Sequence, residues 1–133
     1  MNESEIKDAL KQRRNTPPEH GIRVPFEAMQ TFVAALFSEA GLRDEDARLM
    51  GQILTGNDLR CVFSHGTNAC KQYLHHLREG GINPRPDVKV VHEAPGALVL
   101  DGDGGLGYFP CWHGTERIIA KAKTCGSAVL TTR

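Results

Sequence analysis

A run of helix-breaking residues, Gly80, Gly81, Pro84 and Pro86, separates two parts of this sequence that differ in apolar periodicity. Proline lacks the backbone N–H that a helix needs and glycine lowers helix stability, so a helix that reaches this run ends there. Apolar residues before the run recur every three or four positions, whereas short β-type runs follow it. This order predicts an α/β (α+β) chain in which a helical region precedes a ββαβ unit.

Three helices are predicted before the break, each from apolar residues at helical spacing. Gly41 follows the first helix, where a left-handed residue commonly ends the last turn. The second helix begins with acidic residues at the positive end of its dipole, and Gly51 and Gly56 are expected to weaken it. The predicted helices cover residues 26–40, residues 44–58, and a segment that starts between 64 and 68 and ends near 79.

Strands and one further helix are predicted after the break. Ala94, Pro95 and Gly96 form a turn signal between two β-type runs, which predicts an antiparallel hairpin. Pro110 is tolerated in the first turn of the helix that follows, and Gly126 ends that helix. The predicted elements are strands over residues 88–93, 97–101 and 127–132, and a helix that begins at residue 108.

The charge balance disfavours two classes of partner. The 133 residues carry 16 Lys and Arg side chains against 16 Asp and Glu side chains, so no overall field favours nucleic acid or an anionic membrane. A small molecule or a protein is the expected partner. No apolar run approaches the roughly 20 residues of a spanning helix, and no apolar signal-peptide core is present, which predicts a cytoplasmic protein.

The cysteines predict free thiols, because widely spaced cysteines without a secretion signal do not indicate a disulfide framework. A zinc site is the alternative, since cysteines and histidines cluster in one part of the chain. Their spacings differ from the paired patterns of structural zinc sites, so no metal ligand is predicted. The residues considered are Cys61, His65, Cys70, His75 and His76, with Cys111 and Cys125 farther along the chain.

A glycine-rich loop at Gly102, Gly104 and Gly107 has the spacing of a dinucleotide fingerprint. That fingerprint requires an acidic residue about 20 positions later and a parallel βαβ unit. The chain has no Asp or Glu after Glu116, and the strand before the loop is predicted to pair in a hairpin. A plain turn is therefore favoured over direct binding of a pyrophosphate.

His65 is a candidate for chemistry at the start of the third predicted helix. Backbone N–H groups there have no intrahelical partner and attract anions, so they are able to hold a substrate carboxylate. Imidazole exchanges a proton near neutral pH, which suits a general acid or base. Alternatively, Ser64 or Thr67 caps the helix and His65 has no catalytic role. The residues alone leave both interpretations open.

Two stretches of the sequence resemble the N-terminal part of the malate/L-lactate/ureidoglycolate dehydrogenase family. They are DLRCVFSHGTNACKQYLHHLREGGINPRP and LVLDGDGGLGYFPCWHGTERIIAKAKTCGSAVLTTR, and the resemblance extends from about Phe26 to Arg133. The family signature places an acidic residue and an arginine before S-H-G, followed by a tyrosine, G-x-x-N-P and D-G-D-x-G-x-G. The matching residues are Asp58, Leu59, Arg60, Ser64, His65, Gly66, Tyr73, Gly80, Asn83, Pro84, Asp101, Gly102, Asp103, Gly105 and Gly107.

The resemblance implies a non-Rossmann oxidoreductase that uses NAD or NADP. Such an enzyme transfers hydride to or from C2 of a small 2-oxo or 2-hydroxy acid, or of a cyclic imine, and forms homodimers. His65 is the implied catalytic residue, either as the proton donor or as a group that orients the substrate. The implied substrate contacts are Ser64, Asn68 and Tyr73, and the implied cofactor contacts are His65, Thr132 and Arg133.

The resemblance also implies how the chain is divided. It implies that residues 23–86 are a helical region for substrate binding and dimerisation, whereas the flexible arm expected over residues 1–22 is predicted from their polar composition and from Pro17 and Pro18. Residues 87–133 are expected to begin a mostly antiparallel nicotinamide-binding domain. One residue departs from the family pattern, because members usually carry an arginine just beyond S-H-G to grip a carboxylate, and Asn68 lies in that region here.

Length is the larger departure from the family pattern. Family chains are more than twice as long, and a second histidine, regarded as the principal acid or base, follows the strand that ends here at Arg133. The expectation is an N-terminal fragment or truncated form with weak or no turnover alone, because much of the enzyme that positions the reactants would be missing. The alternative is a non-catalytic helical binding or regulatory module derived from that scaffold.

Overall fold

The computed structural model describes Asn2, Ser4, Glu5 and residues 22–133. The predicted N-terminal arm, residues 1–22, lies almost entirely outside these described residues. Contacts divide the chain into two compact units, Met1–His75 and His76–Arg133. The predicted domain boundary after residue 86 stays a prediction, because a division by packing does not test the function assigned to each part.

The first unit contains helices α1, Phe26–Glu39, and α2, Asp44–Leu59, which confirms the first two predicted helices. Gly41 has a φ of 101° just after α1, the left-handed conformation that its predicted position requires. Apolar side chains of both helices are removed from solvent and form the core of this unit. They include Val33, Phe37, Ala47, Met50 and Leu54.

Gly51 lies where α1 and α2 approach each other closely. A Cβ atom at this position would stand 2.6 Å from the backbone carbonyl oxygen of Gln30 and 3.3 Å from the Cβ atom of Ala34. Helix propensity alone predicts that glycine weakens α2, but the packing of α2 against α1 requires a residue without a side chain here. Gly51 therefore has a packing role that its helix propensity does not reveal.

Two short 3-10 turns, Phe63–His65 and Thr67–Ala69, precede helix α3, Cys70–Arg78. The α-helix begins later than the predicted start between residues 64 and 68, because the chain first forms these tighter turns. Gly80 has a φ of 74° just beyond α3, so the glycine and proline run ends the helix as predicted.

The second unit contains a three-stranded sheet in the order β1-β2-β3. Strands β1, Lys89–Ala94, and β2, Ala97–Asp101, form the predicted antiparallel hairpin. Helix α4, Tyr108–Cys125, then connects β2 to β3, Val129–Thr132, which pairs in parallel with β2. These elements confirm the predicted α/β fold class. The parallel pairing removes one argument against a dinucleotide fingerprint, because the glycine loop does lie within a βαβ unit.

Helix α4 packs closely on one face of the sheet. Leu98 and Leu100 of β2 are buried, and a Cβ atom at Gly114 would stand 2.7 Å from a methyl group of Leu130 and 2.9 Å from a methyl group of Leu100. Although α4 is the longest helix in the described part of the chain, neither it nor the other described helices is long and apolar enough to cross a membrane.

Ion pairs connect the end of β1 to α4. The Glu93 carboxylate accepts hydrogen bonds from Arg117 at 2.7 Å and from Lys121 at 2.9 Å, and Lys121 also donates to the carbonyl of Ala94 at 2.8 Å. The hydrogen bond from Lys121 is the main cause that lowers the pKa of Glu93. The group is exposed to solvent, so its contribution to stability is small.

Candidate active site

His65 lies at the end of the first 3-10 turn and its side chain is exposed. Its Nδ1 atom and the Ser64 hydroxyl are 2.9 Å apart, which is a hydrogen bond whose donor depends on the imidazole tautomer. The backbone carbonyl of His65 accepts a hydrogen bond of 2.9 Å from the Asn57 side chain. The imidazole is therefore near solvent, with one ring nitrogen engaged and its backbone held by α2.

Asp58, near the end of α2, makes several contacts with this loop. Its carboxylate accepts a hydrogen bond of 2.6 Å from the Thr67 hydroxyl. The backbone N–H of Thr67 donates to both carboxylate oxygens, each at 3.2 Å. Gly66 lies against the same carboxylate, and a Cβ atom at Gly66 would overlap an Asp58 oxygen. The glycine of S-H-G is thus required because Asp58 fills the space that a side chain would occupy.

The backbone N–H groups that were expected to attract a substrate carboxylate already have partners. The His65 N–H donates to the Val62 carbonyl at 3.1 Å, and the Gly66 N–H donates to the Phe63 carbonyl at 3.2 Å. The Thr67 N–H donates to Asp58. The hypothesis that these amides hold a substrate anion is therefore wrong, because two carbonyls and an internal carboxylate satisfy them.

The capping alternative also changes in the structure. Neither 3-10 turn has a side-chain hydrogen bond at its N-cap, so Ser64 and Thr67 do not cap these turns. Ser64 instead contacts the imidazole of His65, and Thr67 contacts Asp58. These hydrogen bonds link the two hydroxyl groups to neighbouring side chains, and capping of helix α3 by either residue stays a prediction.

Asn68 and Tyr73 follow the His65 loop closely along the chain. Asn68 is exposed in the second 3-10 turn, and Tyr73 is half-buried in the first turn of α3. The structure thus joins Ser64 to His65 by a hydrogen bond and places Asn68 on the solvent side of the same loop. Substrate contact by Asn68 and Tyr73 stays a prediction.

Cys70 is buried at the start of α3, and all four cysteines are free. Burial raises the pKa of the Cys70 thiol to about 11, and the negative charge of Asp58 adds to this effect. Such a thiol stays protonated and unreactive near neutral pH. Among the described residues, no three His, Cys, Asp or Glu side chains are grouped so that they could hold a metal ion.

The glycine-rich loop of the second unit is held by its own hydrogen bonds. Asp103 and Gly104 have φ angles of 51° and 68°, which form a tight left-handed turn. The N–H groups of Gly102, Asp103 and Gly105 donate to the Arg133 carbonyl, the Asp101 carboxylate and the Gly102 carbonyl at 2.8 to 2.9 Å. Because these amides are already paired, the loop does not offer them to a pyrophosphate, which supports the predicted turn.

Asn83 and Asp103 connect the glycine loop to the segment that precedes β1. The Asn83 amide donates to the Asp103 carbonyl at 3.0 Å and to its carboxylate at 3.1 Å, and the Asp87 N–H donates to the same carboxylate at 3.0 Å. Gly105 faces Pro86, whose Cγ atom would be 2.5 Å from a Cβ atom at that position. The G-x-x-N-P and D-G-D-x-G-x-G motifs therefore form one folded element.

Thr132 and Arg133, the predicted cofactor contacts of the second unit, lie at the end of β3 and just beyond it. The Arg133 guanidinium donates to one oxygen of Asp101 at 2.9 and 3.1 Å. The Asp103 N–H lowers the pKa of Asp101, and Arg133 lowers it further. Arg133 thus has an internal partner, although most of its side chain is exposed.

No sequence pattern predicts the roles of Asn57 and Asp58 in the first unit, or of Asn83 in the second. Their hydrogen bonds span 8 to 20 positions and therefore leave no periodic pattern in the sequence. One signal was available. Asp58 lies in the last turn of a helix, where the dipole disfavours a negative charge, so helix stability does not explain an acidic residue there.

Comparison with known proteins gives a consistent result. Residues 24–133 match the family model described as malate/L-lactate dehydrogenase. The chain is 34% identical over 115 residues to malate dehydrogenase from Pyrococcus horikoshii, and the match covers 86% of this chain and 32% of that protein. It is 36% identical over 107 residues to L-sulfolactate dehydrogenase from Methanocaldococcus jannaschii, covering 80% of this chain and 31% of that protein.

The fold comparison agrees with the sequence comparison. The structure of the Pyrococcus horikoshii malate dehydrogenase has a TM-score of 0.80 to this chain at 33% identity, and the match covers 86% of this chain and 33% of that structure. The chain thus spans about a third of the length of these relatives and matches their N-terminal portion. The chain therefore belongs to the malate/L-lactate dehydrogenase family.

Proposed function

We propose that this chain supplies the proton-transfer loop of an oxidoreductase that interconverts a 2-oxo acid and a 2-hydroxy acid. The observation that carries the proposal is the exposed His65 imidazole, which has Nδ1 hydrogen-bonded to Ser64 and its backbone held by α2. A histidine fixed in this way near solvent suits proton exchange with a bound substrate.

The reaction requires a proton as well as a hydride. When a 2-oxo acid is reduced, C2 gains a hydride and the carbonyl oxygen gains a proton, so the product is an alcohol. Because Nδ1 of His65 faces Ser64, we assign the other ring nitrogen, Nε2, as the proton donor: the imidazolium gives up its Nε2 proton and becomes a neutral imidazole. In the oxidation direction Nε2 accepts the proton, and the Ser64 hydroxyl is able to act as donor or acceptor in the two tautomers.

A small 2-hydroxy acid is the substrate class that the relatives favour. The two relatives are described as acting on malate and sulfolactate, which are both 2-hydroxy acids. We place Ser64, Asn68 and Tyr73 as substrate contacts in this chain. Asn68 offers an uncharged hydrogen bond in the region where family members usually have arginine, so weaker binding of a carboxylate is expected.

NAD or NADP is the proposed cofactor, and when bound it would supply or accept the hydride. The amides of Gly102, Asp103 and Gly105 do not fit a pyrophosphate, because internal acceptors satisfy them. The exposed Arg133 guanidinium fits an anionic group, although it already forms an ion pair with Asp101. We assign Thr132, Arg133 and His65 as cofactor contacts on the chemistry of their side chains.

A hybrid enzyme tests the proposed function. In this hybrid, residues 24–133 replace the matching third of the Pyrococcus horikoshii malate dehydrogenase, and the unmodified relative is the positive control. The measurement is loss of NADH or NADPH absorbance with a panel of 2-oxo acids. Turnover of at least one acid is expected. A folded hybrid that binds dinucleotide but reduces none of the acids would contradict the proposal and favour a non-catalytic module.

The 133-residue chain alone provides two further tests. We expect weak or no turnover from it, because positioning of both reactants supplies much of the rate, and robust turnover would show that it is sufficient for catalysis. We also propose that it forms a homodimer, as the family resemblance implies. Sedimentation velocity should give a dimer, and a monomer at all concentrations would contradict this assignment.

A further inference from the structure

We infer that Asn57 and Asp58, near the end of α2, are positioning residues that keep the His65 imidazole in the orientation that proton transfer requires. The inference rests on the proposed function for the role of the imidazole, but the positioning itself can be measured without turnover. Both residues act through the backbone and side chains of the loop, so neither is assigned a direct catalytic role.

The location of Asp58 does not favour helix formation. It lies in the last turn of α2, where the helix dipole is negative, and this turn contains no basic residue. A carboxylate in such a position weakens the helix. Helix formation therefore does not account for Asp58, whereas its contacts with the loop do.

The Asp58 carboxylate contacts the residues that follow His65. Thr67 lies nine positions farther along the chain, and both its hydroxyl and its N–H donate to the carboxylate at 2.6 and 3.2 Å. Hydrogen bonds to an ionised acceptor are stronger than those between neutral groups. Gly66 packs against the same carboxylate, so the residue immediately after His65 has little room to move.

Asn57 holds the other side of the same peptide segment. Its side-chain amide donates to the His65 carbonyl at 2.9 Å, and its own carbonyl accepts the Val62 N–H at 2.9 Å. The His65 carbonyl and the Thr67 amide are thus both fixed to adjacent residues of one helix. With the backbone fixed on both sides of Gly66, the direction of the His65 side chain is set by α2.

Nuclear magnetic resonance of the full 133-residue chain tests this inference. The two measurements are the amide order parameter S² at His65 and Gly66, and the imidazole nitrogen shifts of His65, which report the tautomer. The test variants are Thr67→Val, Asp58→Asn and Asn57→Ala. Thr67→Ser retains the hydroxyl, and Glu45→Gln removes a charge at the opposite end of α2, so these two variants are the matched controls.

The wild-type chain is expected to give S² of about 0.85 at both residues and one dominant tautomer. Each test variant should lower S² at His65 and Gly66 below about 0.6 and mix the tautomers, while amide shifts of the second unit stay unchanged. Thr67→Ser and Glu45→Gln should resemble the wild type. This pattern would support positioning even if the hybrid enzyme were inactive, so the two proposals fail separately.

Three results would overturn the inference. One is a wild-type loop with S² already below about 0.6. Another is an unchanged tautomer and S² in Thr67→Val and Asp58→Asn. The third is global unfolding of Thr67→Val, because the inference confines the effect of that hydroxyl to the loop.

Discussion

The two units of the chain each carry a family motif in a loop, and a carboxylate organises each loop. In the first unit Asp58 accepts hydrogen bonds from Thr67, and in the second Asp103 accepts them from Asn83 and the Asp87 N–H. The loops differ in the polar groups that stay accessible to a substrate. The first leaves an exposed imidazole at His65, whereas in the second the N–H groups of Gly102, Asp103 and Gly105 are paired internally.

A family motif therefore contains both residues that hold the loop backbone in place and residues that are able to react with a substrate. Gly66 and Gly105 are required by close neighbours, Asp58 and Pro86 respectively. Such positions would match the family pattern whether or not the chain catalysed a reaction. A test of His65 addresses the proposed proton transfer directly, whereas substitutions of the glycines and carboxylates test the architecture of the two loops.

The largest expected effect is for Gly66→Ala, which tests the first loop. The added Cβ overlaps the Asp58 carboxylate, so the substitution breaks the hydrogen bonds that Thr67 donates to Asp58. The free energy of unfolding should fall by about 3–5 kcal/mol. Urea unfolding of the 133-residue chain measures this. Gly107→Ala in the second loop is the matched control, because among the described residues, apart from its own chain neighbours, no atom lies within 4 Å of its Cβ position. A similar loss of stability in this control would contradict the account.

A smaller loss of stability is expected for Gly51→Ala in α2, and Gly114→Ala in α4 allows helix packing to be compared between the two units. A Cβ atom at Gly51 meets a backbone carbonyl oxygen that cannot easily move, so we expect a loss of about 2–3 kcal/mol. Gly114→Ala in α4 meets only leucine methyl groups, which can shift, and should cost about 1–2 kcal/mol. Thermal unfolding compares the two variants. Equal losses would show that backbone contact is not the deciding factor.

Gly56→Ala is the control within α2 itself. Its Cβ atom would meet only the flexible end of the Arg60 side chain, at 3.2 Å. The gain in helix propensity should therefore dominate and stabilise the chain by up to about 1 kcal/mol. A loss as large as that of Gly51→Ala would remove the steric explanation for Gly51.

Asp103→Ala tests the second loop. It removes the acceptor for Asn83 and the Asp87 N–H and leaves alanine at a φ of 51°, so a loss of about 1–3 kcal/mol is expected. Asp87→Ala is the control, because it keeps the backbone N–H and removes only an exposed ion pair with Lys89. Urea unfolding should separate the two variants, and equal stability would contradict the assigned role of Asp103.

Cys70 gives the smallest expected effect and concerns pH. Its pKa is raised from 9.0 to about 11 in the folded chain, mainly by burial. Between these values the unfolded chain loses the thiol proton while the folded chain retains it, so stability falls as pH rises. The loss should be about 1 kcal/mol at pH 10 and absent below pH 8.

The measurement for Cys70 is the free energy of urea unfolding at pH 8 and pH 10. Cys70→Ala should abolish this part of the pH dependence, whereas Cys111→Ala, which removes an exposed thiol of the second unit, should retain it. A pH dependence that survives in Cys70→Ala would show that another group causes it.

The sequence predicted the secondary structure better than it predicted the loops. Apolar spacing and Gly41 located α1, and the turn at Pro95 and Gly96 located the hairpin, because these signals are local. The partners of Asp58 and Asn83 could not be predicted, because hydrogen bonds between distant segments depend on the folded backbone. For the same reason the sequence predicted that the backbone N–H groups of residues 65–67 are available to a substrate. In the folded chain these groups donate to internal acceptors.

His65→Gln in the hybrid enzyme tests the central proposal most directly. Glutamine is similar in size to histidine but does not exchange a proton near neutral pH, so the substitution separates proton transfer from packing. We predict that kcat falls by about 10²–10⁴-fold while the thermal unfolding temperature of the hybrid stays unchanged. A kcat within about twofold of the unmodified hybrid would contradict the assignment of His65 as the proton-transfer residue.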